Sequence, residues 1–428
     1  MSPLHGPQGP TPRLSDSAAP RFAESLDAQR DALVAFAQEL IRTPSPSGAE
    51  SAVATLIATR LRALKFDEVF TDEVGNVVGL LKGRAEGPAV LFCAHMDTPE
   101  PGDLELWERD PLDAHLDGDQ LSGLGASDAK GSIASFAYGI ASLKAADVPL
   151  DGDVLVAFVV MAERAEAFGI SHLFEKTLPA RGVRPALVVM GDPTGLNLYL
   201  GQRGRMELEV TTVGRTAHAS TPWLGQNAVY KMMPVVEGLQ ELSSMLPSHP
   251  FLGKSTLSLT NISSTPGRFS IIPDRCVAAI DRRYLPNESL STILDQVQAV
   301  LIRTGQKDAE FRGEAKIRIV QETAYTGVTR EVAKVLAPFV TPESNPWVAK
   351  SLAALEALGE SPRFDKWHFS TEGGYTAGVV GIPTVGYAPG EENYSHTPYD
   401  RVSVSVSKIV RAAMGTAAIA QAVAGRPD

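Results

Sequence analysis

The patterning of apolar and polar positions changes character twice along the chain. Over residues 21–65 apolar positions recur at helical spacing, with Leu33, Phe36, Ala37, Leu40 and Ile41 on one face. The run Thr43-Pro44-Ser45-Pro46-Ser47-Gly48 breaks that pattern, and residues 47–64 read as a second helix. Short strand patterns follow at residues 68–71, 77–81 and 88–92, and small residues predict a helix over 132–145. Residues 153–161 and 186–190 are continuous apolar runs, as expected of parallel strands buried on both faces. Near Gly204 the texture switches. Residues 206–213 alternate polar and apolar, the mark of a half-exposed antiparallel strand. A helix over 227–245, strands over 255–262 and 276–284, a helix over 289–303 and a closing strand at 316–319 complete this stretch. The first texture then resumes, with helices near 329–338 and 345–358, an apolar strand at 384–387 and an Ala-rich helix over 406–423 packed on the sheet.

These two textures predict an α/β domain from residues 21–203 and 320–428, interrupted by an inserted α+β module at 204–319. A chain of 428 residues is too long for one ordinary core, which agrees with two domains. Residues 1–20 are rich in Pro and Gly, lack a long apolar core and read as a disordered tail rather than a signal peptide. The longest apolar run, residues 154–162, is far short of a membrane span. A net charge of −11 with no basic run argues against a nucleic-acid partner. Two cysteines, Cys93 and Cys276, in apolar segments form neither a disulfide framework nor a thiolate cluster. That usage suits a reducing compartment, and a cytoplasmic address is the expectation.

Chemically capable residues sit repeatedly where apolar strands end. The first strand delivers His95-Met96-Asp97, in which Asp97 can orient the imidazole. Taken alone, that pair fits a metal site or a buried histidine satisfied by a carboxylate. Asp128, Glu163, Asp192 and His396 extend the set. Imidazole plus carboxylate suits a zinc-type ion, and cobalt or manganese equally, while a neighbouring carboxylate can act as general base. Ligands from successive strand ends are the arrangement of an open α/β site. His368 is compatible with a core role or a pocket role, and Glu372 with a pocket carboxylate or a solvated loop residue.

Five motifs in order make the chain resemble the M20 family of metallopeptidases and deacylases from about residue 27 onward. They are His95-Met96-Asp97, the run from Gly123 to Gly131 with its Gly-x-Gly-x-x-Asp-x-Lys-Gly spacing, Gly191-Asp192-Pro193-Thr194, Ser395-His396-Thr397-Pro398, and Gly214-Arg215-Thr216-Ala217-His218 with Gly225-Gln226-Asn227-Ala228 after it. Residues 198–209 and 364–374 lean toward a branch of hydrolases named for selenium metabolism. The resemblance implies a zinc-exopeptidase-like, mixed-sheet catalytic domain with an inserted lid that forms a homodimer. It implies that His95, Asp128, Asp192 and His396 hold metal, that Asp97 orients His95 and that Glu163 is the general base. His218 would reach a neighbouring subunit's site and stabilise an oxyanion, and Arg283 would hold a substrate carboxylate. Asn227 and Glu372 are the further candidates for substrate contact.

One departure bears on the metal. Relatives carry two consecutive glutamates, base then ligand, whereas here Arg164 comes after Glu163. Arginine has no free lone pair and keeps its charge, so it cannot ligate a cation. Three outcomes stay open: a single-ion enzyme, a loop shift that recruits Glu163 or Glu166, or loss of catalysis. A second departure is Arg268-Phe269-Ser270, where many relatives carry a substrate-contacting asparagine. The reading is therefore a hydrolase of a small amide, such as an N-acyl amino acid or dipeptide, with one or two ions per subunit and one favoured. The alternative is an impaired relative that binds small ligands.

Overall fold

A computed structural model describes residues 21–395 and 403–425. The expected tail at residues 1–20 and the candidate ligand His396 lie outside these. Among the described residues, nine strands form one mixed sheet. At its centre Val154–Val159, Ala89–His95, Pro185–Met190 and Thr384–Gly386 run parallel to one another. The apolar runs are explained by this placement, since every residue of Val154–Val159 is buried. The helices Arg30–Arg42, Ser51–Ala63, Gly131–Ala145 and Val406–Ala424 share one apolar core with a face of the sheet. The last two pack closely because Gly139 has no side chain: a Cβ there would sit 2.5 Å from the Ala413 carbonyl oxygen.

The change of texture at Gly204 is a change of sheet. Leu198–Gln202 ends in the large sheet, and Gly204–Val213 begins a second, antiparallel one with Thr256–Thr265, Arg275–Tyr284 and Arg312–Ile317. Alternate residues Met206, Leu208 and Val210 bury against the helices Ala228–Ser244 and Leu290–Lys307, which form a separate core. Val335–Leu336 returns to pair with the start of Gly204–Val213.

The helix expected near residues 329–338 is absent. Thr329–Ala333 instead pairs antiparallel with Ile319–Thr323. β-Branched Thr329 and Val332 suit the extended strand, and Gly327, at φ 90°, supplies the turn that joins the two strands. Among the described residues no helix is long and apolar enough to cross a membrane.

Candidate active site

Four chain segments converge at the carboxyl ends of the central parallel strands. Ala89–His95 ends on His95, Asp192 lies two residues beyond Pro185–Met190, and Glu163 lies four beyond Val154–Val159. Asp128 comes from the turn before Gly131–Ala145. That turn needs Gly125, whose φ of 81° disfavours a side chain and whose added Cβ would meet Thr98 Cγ2 at 2.8 Å.

His95, Asp128 and Asp192 are buried, and one ligand atom from each lies within 4.8 Å of the others. His95 Nδ1 donates to the Asp97 backbone carbonyl at 2.9 Å. That assigns the lone pair of a neutral ring to Nε2, which faces Asp128 Oδ1 at 2.9 Å. Two acceptors at that separation require a proton or a cation between them. Burial opposes charge on His95, but the hydrogen bonds to Asp128 and Asp97 outweigh it and hold its pKa well above 6.5. Burial, with Asp128 beside it, pushes Asp192 up to about 7 despite the opposing pull of His95. Asp192 Oδ2 is buried without a hydrogen-bond partner among the described residues. The chemistry and placement of this group therefore fit a zinc-type cation.

The Asp97 carboxylate does more than the sequence suggested. It stands 3.6 Å from His95 Nδ1 and also accepts from Ser47 Oγ at 2.6 Å, Ala162 N at 3.2 Å and Glu163 N at 3.0 Å. Its carbonyl orients the histidine, while its carboxylate orients the turn that bears Glu163. Glu50 supports the same turn by accepting from Met161 N at 3.1 Å.

The group opens into a cavity of about 490 Å³ lined also by Glu163, Glu166, Arg205, Arg283, Phe369, Ser370, Glu372 and Glu392. Glu372 is buried, which disposes of the solvated-loop reading, and burial together with the Asp192 charge raises its pKa well above 4.5. Arg283 lines the cavity while its guanidinium forks onto Asp281 and donates to Ser370 Oγ at 3.2 Å. Arg164 does not line it. Its side chain is 62% exposed and pairs with Glu322 at 3.0 Å, so its charge is not delivered into the site.

Two expected residues sit elsewhere. His218 is exposed on the inserted module, with Nδ1 at 2.7 Å from Ser220 Oγ. Asn227 caps the helix Ala228–Ser244, its side-chain oxygen accepting from Val229 N and Tyr230 N, and it does not line the cavity. His368 is exposed and pairs with the cavity residue Glu392 at 2.8 Å. Further residues that the motifs do not include complete the wall, Arg205 chief among them. Its signal was the polar phase of the alternation after Gly204, which marks an exposed face without saying what that face meets.

Residues 200–309 match a family profile described as a peptidase dimerisation domain, M20_dimer. The chain is 32% identical over 382 residues to the uncharacterized protein YgeY of Escherichia coli (strain K12), covering 88% of this chain and 91% of that one. It is 30% identical over 267 residues to succinyl-diaminopimelate desuccinylase of Gluconobacter oxydans (strain 621H), covering 59% and 67%. Among solved structures, the di-peptidase Dug1p from Saccharomyces cerevisiae superimposes with a TM-score of 0.73 at 15% identity, covering 95% of this chain and 99% of that one.

Proposed function

We propose, for a chain that belongs to the M20 family of metallopeptidases and deacylases and is a metallo-amidohydrolase, that it hydrolyses the amide bond of a small N-acyl amino acid or dipeptide. The observation that carries this reading is the buried group of His95, Asp128 and Asp192 at a cavity that also holds Glu163 and Arg283. These three residues would hold one zinc, cobalt or manganese ion, and such an ion supplies Lewis acidity to the scissile carbonyl and to water. Glu163 accepts a proton from the attacking water and returns it to the leaving nitrogen. Arg283 and Glu372 contact the substrate from the walls, and a cavity of about 490 Å³ accommodates a small molecule. One ion is favoured because position 164 offers no ligand and its side chain turns outward to Glu322.

In this reading, residues 21–203 and 320–428 are the catalytic domain and 204–319 the lid. The lid makes a homodimer, in which His218, exposed and not part of its own cavity wall, serves the other subunit as an oxyanion donor. Free, buried Cys93 and Cys276 are in keeping with a cytoplasmic location.

The test is a panel of unblocked dipeptides and N-acetyl, N-succinyl and N-formyl amino acids, offered to protein loaded with zinc, cobalt or manganese. Hydrolysis of at least one class, lost in Glu163→Gln while metal content is kept, supports the reading. No hydrolysis by any metal-loaded form, or full activity in Glu163→Gln, overturns it.

A further inference from the structure

The turn 161–166 holds two non-glycine residues in left-handed or related backbone conformations, Met161 at φ 62° and Glu166 at φ 44°. Such residues persist only where their surroundings over-determine them. The inner side of this turn is held by Glu50 and Asp97. Its outer side is held by two cations placed where the chain enters and leaves the lid sheet. Lys334 Nζ donates to the Arg164 carbonyl at 2.7 Å and pairs with Glu166 Oε2 at 2.6 Å. Arg205 Nη1 donates to Glu166 Oε1 at 3.0 Å.

Lys334 is buried, and a buried ammonium must be compensated by close partners. Its three donors find a carbonyl and a carboxylate in the catalytic turn, with Glu207 at 4.0 Å. The backbone of Lys334 is itself pinned: its N–H donates to the Arg318 carbonyl and its carbonyl accepts from Glu207 N, both at 2.9 Å. Arg205 stands in register with Leu336, two residues after Lys334. Arg205 thus comes from the strand by which the chain enters the lid sheet and Lys334 from the bend just before Val335–Leu336, by which it leaves, and both grip the end of the turn that presents Glu163.

We propose that Lys334 is a positioning residue for the hydrolysis, clamping the Glu163 turn through Glu166 and coupling it to the lid. The proposal rests on the reading of Glu163 as general base.

The experiment uses the zinc-loaded full chain. Amide hydrogen exchange is monitored over residues 162–166, and kcat and KM are measured on whichever dipeptide or N-acyl amino acid the enzyme hydrolyses. Lys334→Met is expected to speed exchange in the turn at least tenfold, with Val154–Val159 unchanged. It should lower kcat roughly thirtyfold, about 2 kcal/mol, while KM stays within twofold and zinc content is kept. Glu166→Gln should act in the same direction, and the double variant should be no worse than Lys334→Met alone. Lys334→Arg should recover part of kcat. Unchanged exchange and kcat in Lys334→Met, a loss that falls on KM, loss of zinc, or additive losses in the double variant each overturn the proposal. Where Lys334→Met does not fold, Glu166→Gln decides by the same readouts. Full activity in Glu163→Gln rejects the general base itself, a result distinct from failure of the clamp.

Discussion

Replacing Asp97 by asparagine separates its two functions. Its carboxylate accepts from Ser47 Oγ and Glu163 N on Oδ2 and from Ala162 N on Oδ1. Asparagine can keep the Oδ1 bond and let the Ser47 hydroxyl rotate to accept, but its amide nitrogen then faces the Glu163 N–H. One charge-assisted hydrogen bond, about 1.5–3 kcal/mol, is lost, and the remaining ones weaken by roughly 0.5–1 kcal/mol as the charge goes. Expressed at Glu163, a total of about 2–4 kcal/mol corresponds to a fall in kcat of roughly 30- to 800-fold. Metal affinity is a different matter, because His95 Nδ1 is held by the Asp97 backbone carbonyl, which asparagine retains. A change of less than about fivefold is expected, against about 10–100-fold where a ligand's supporting partner is removed. Steady-state kinetics at saturating metal, with a competition titration against a chromophoric chelator, give both numbers. Metal affinity reduced more than tenfold with kcat intact would refute the assignment of the carboxylate to the turn.

Burial, with the Asp97 charge, pushes Glu50 up to about 7 from 4.5, so the folded chain keeps a proton that the unfolded chain sheds across that interval. The stability this provides is complete below pH 4.5 and is lost as pH rises through 7. Glu50→Gln, which keeps the acceptor for Met161 N, should therefore exceed the parent by up to about 3 kcal/mol near pH 8 and match it near pH 4, as urea unfolding at both pH values will report. In the lid, Arg282 is fully buried against Glu288. Arg282→Met should destabilise by about 3–5 kcal/mol by leaving that carboxylate unpaired, and Glu288→Gln in the same chain should recover part of the loss on chemical denaturation.

The sequence shows most of what places the site. Strands buried on both faces announce themselves as apolar runs, and the polar residue at or just past the end of each run, His95, Glu163 or Asp192, arrives at one edge of the sheet. The switch to alternation at Gly204 marks the second sheet because one face there is covered by helices and the other is not. Residues 329–338 misled because Val332, Val335 and Leu336 also satisfy a helical spacing, and only pairing with Ile319–Thr323 and with the strand from Gly204 decides between the two. Supporting contacts were illegible for a related reason. Glu50 looks like any residue opening a helix, and Lys334 like a surface lysine, until the fold brings them to either side of the turn 161–166. Arg164 was conspicuous as a residue type, but its direction, outward to Glu322, depends on a strand hairpin that the pattern did not reveal.

The most direct measurement is the metal content of the purified full chain, determined by mass spectrometry of the ions after exchange into chelator-free buffer containing zinc, alongside Asp192→Ala. About one tightly held ion per chain, lost in the variant, is expected if His95, Asp128 and Asp192 form the catalytic metal group and position 164 supplies no second one. Two tightly held ions per chain, or one ion that survives Asp192→Ala unchanged, would contradict it.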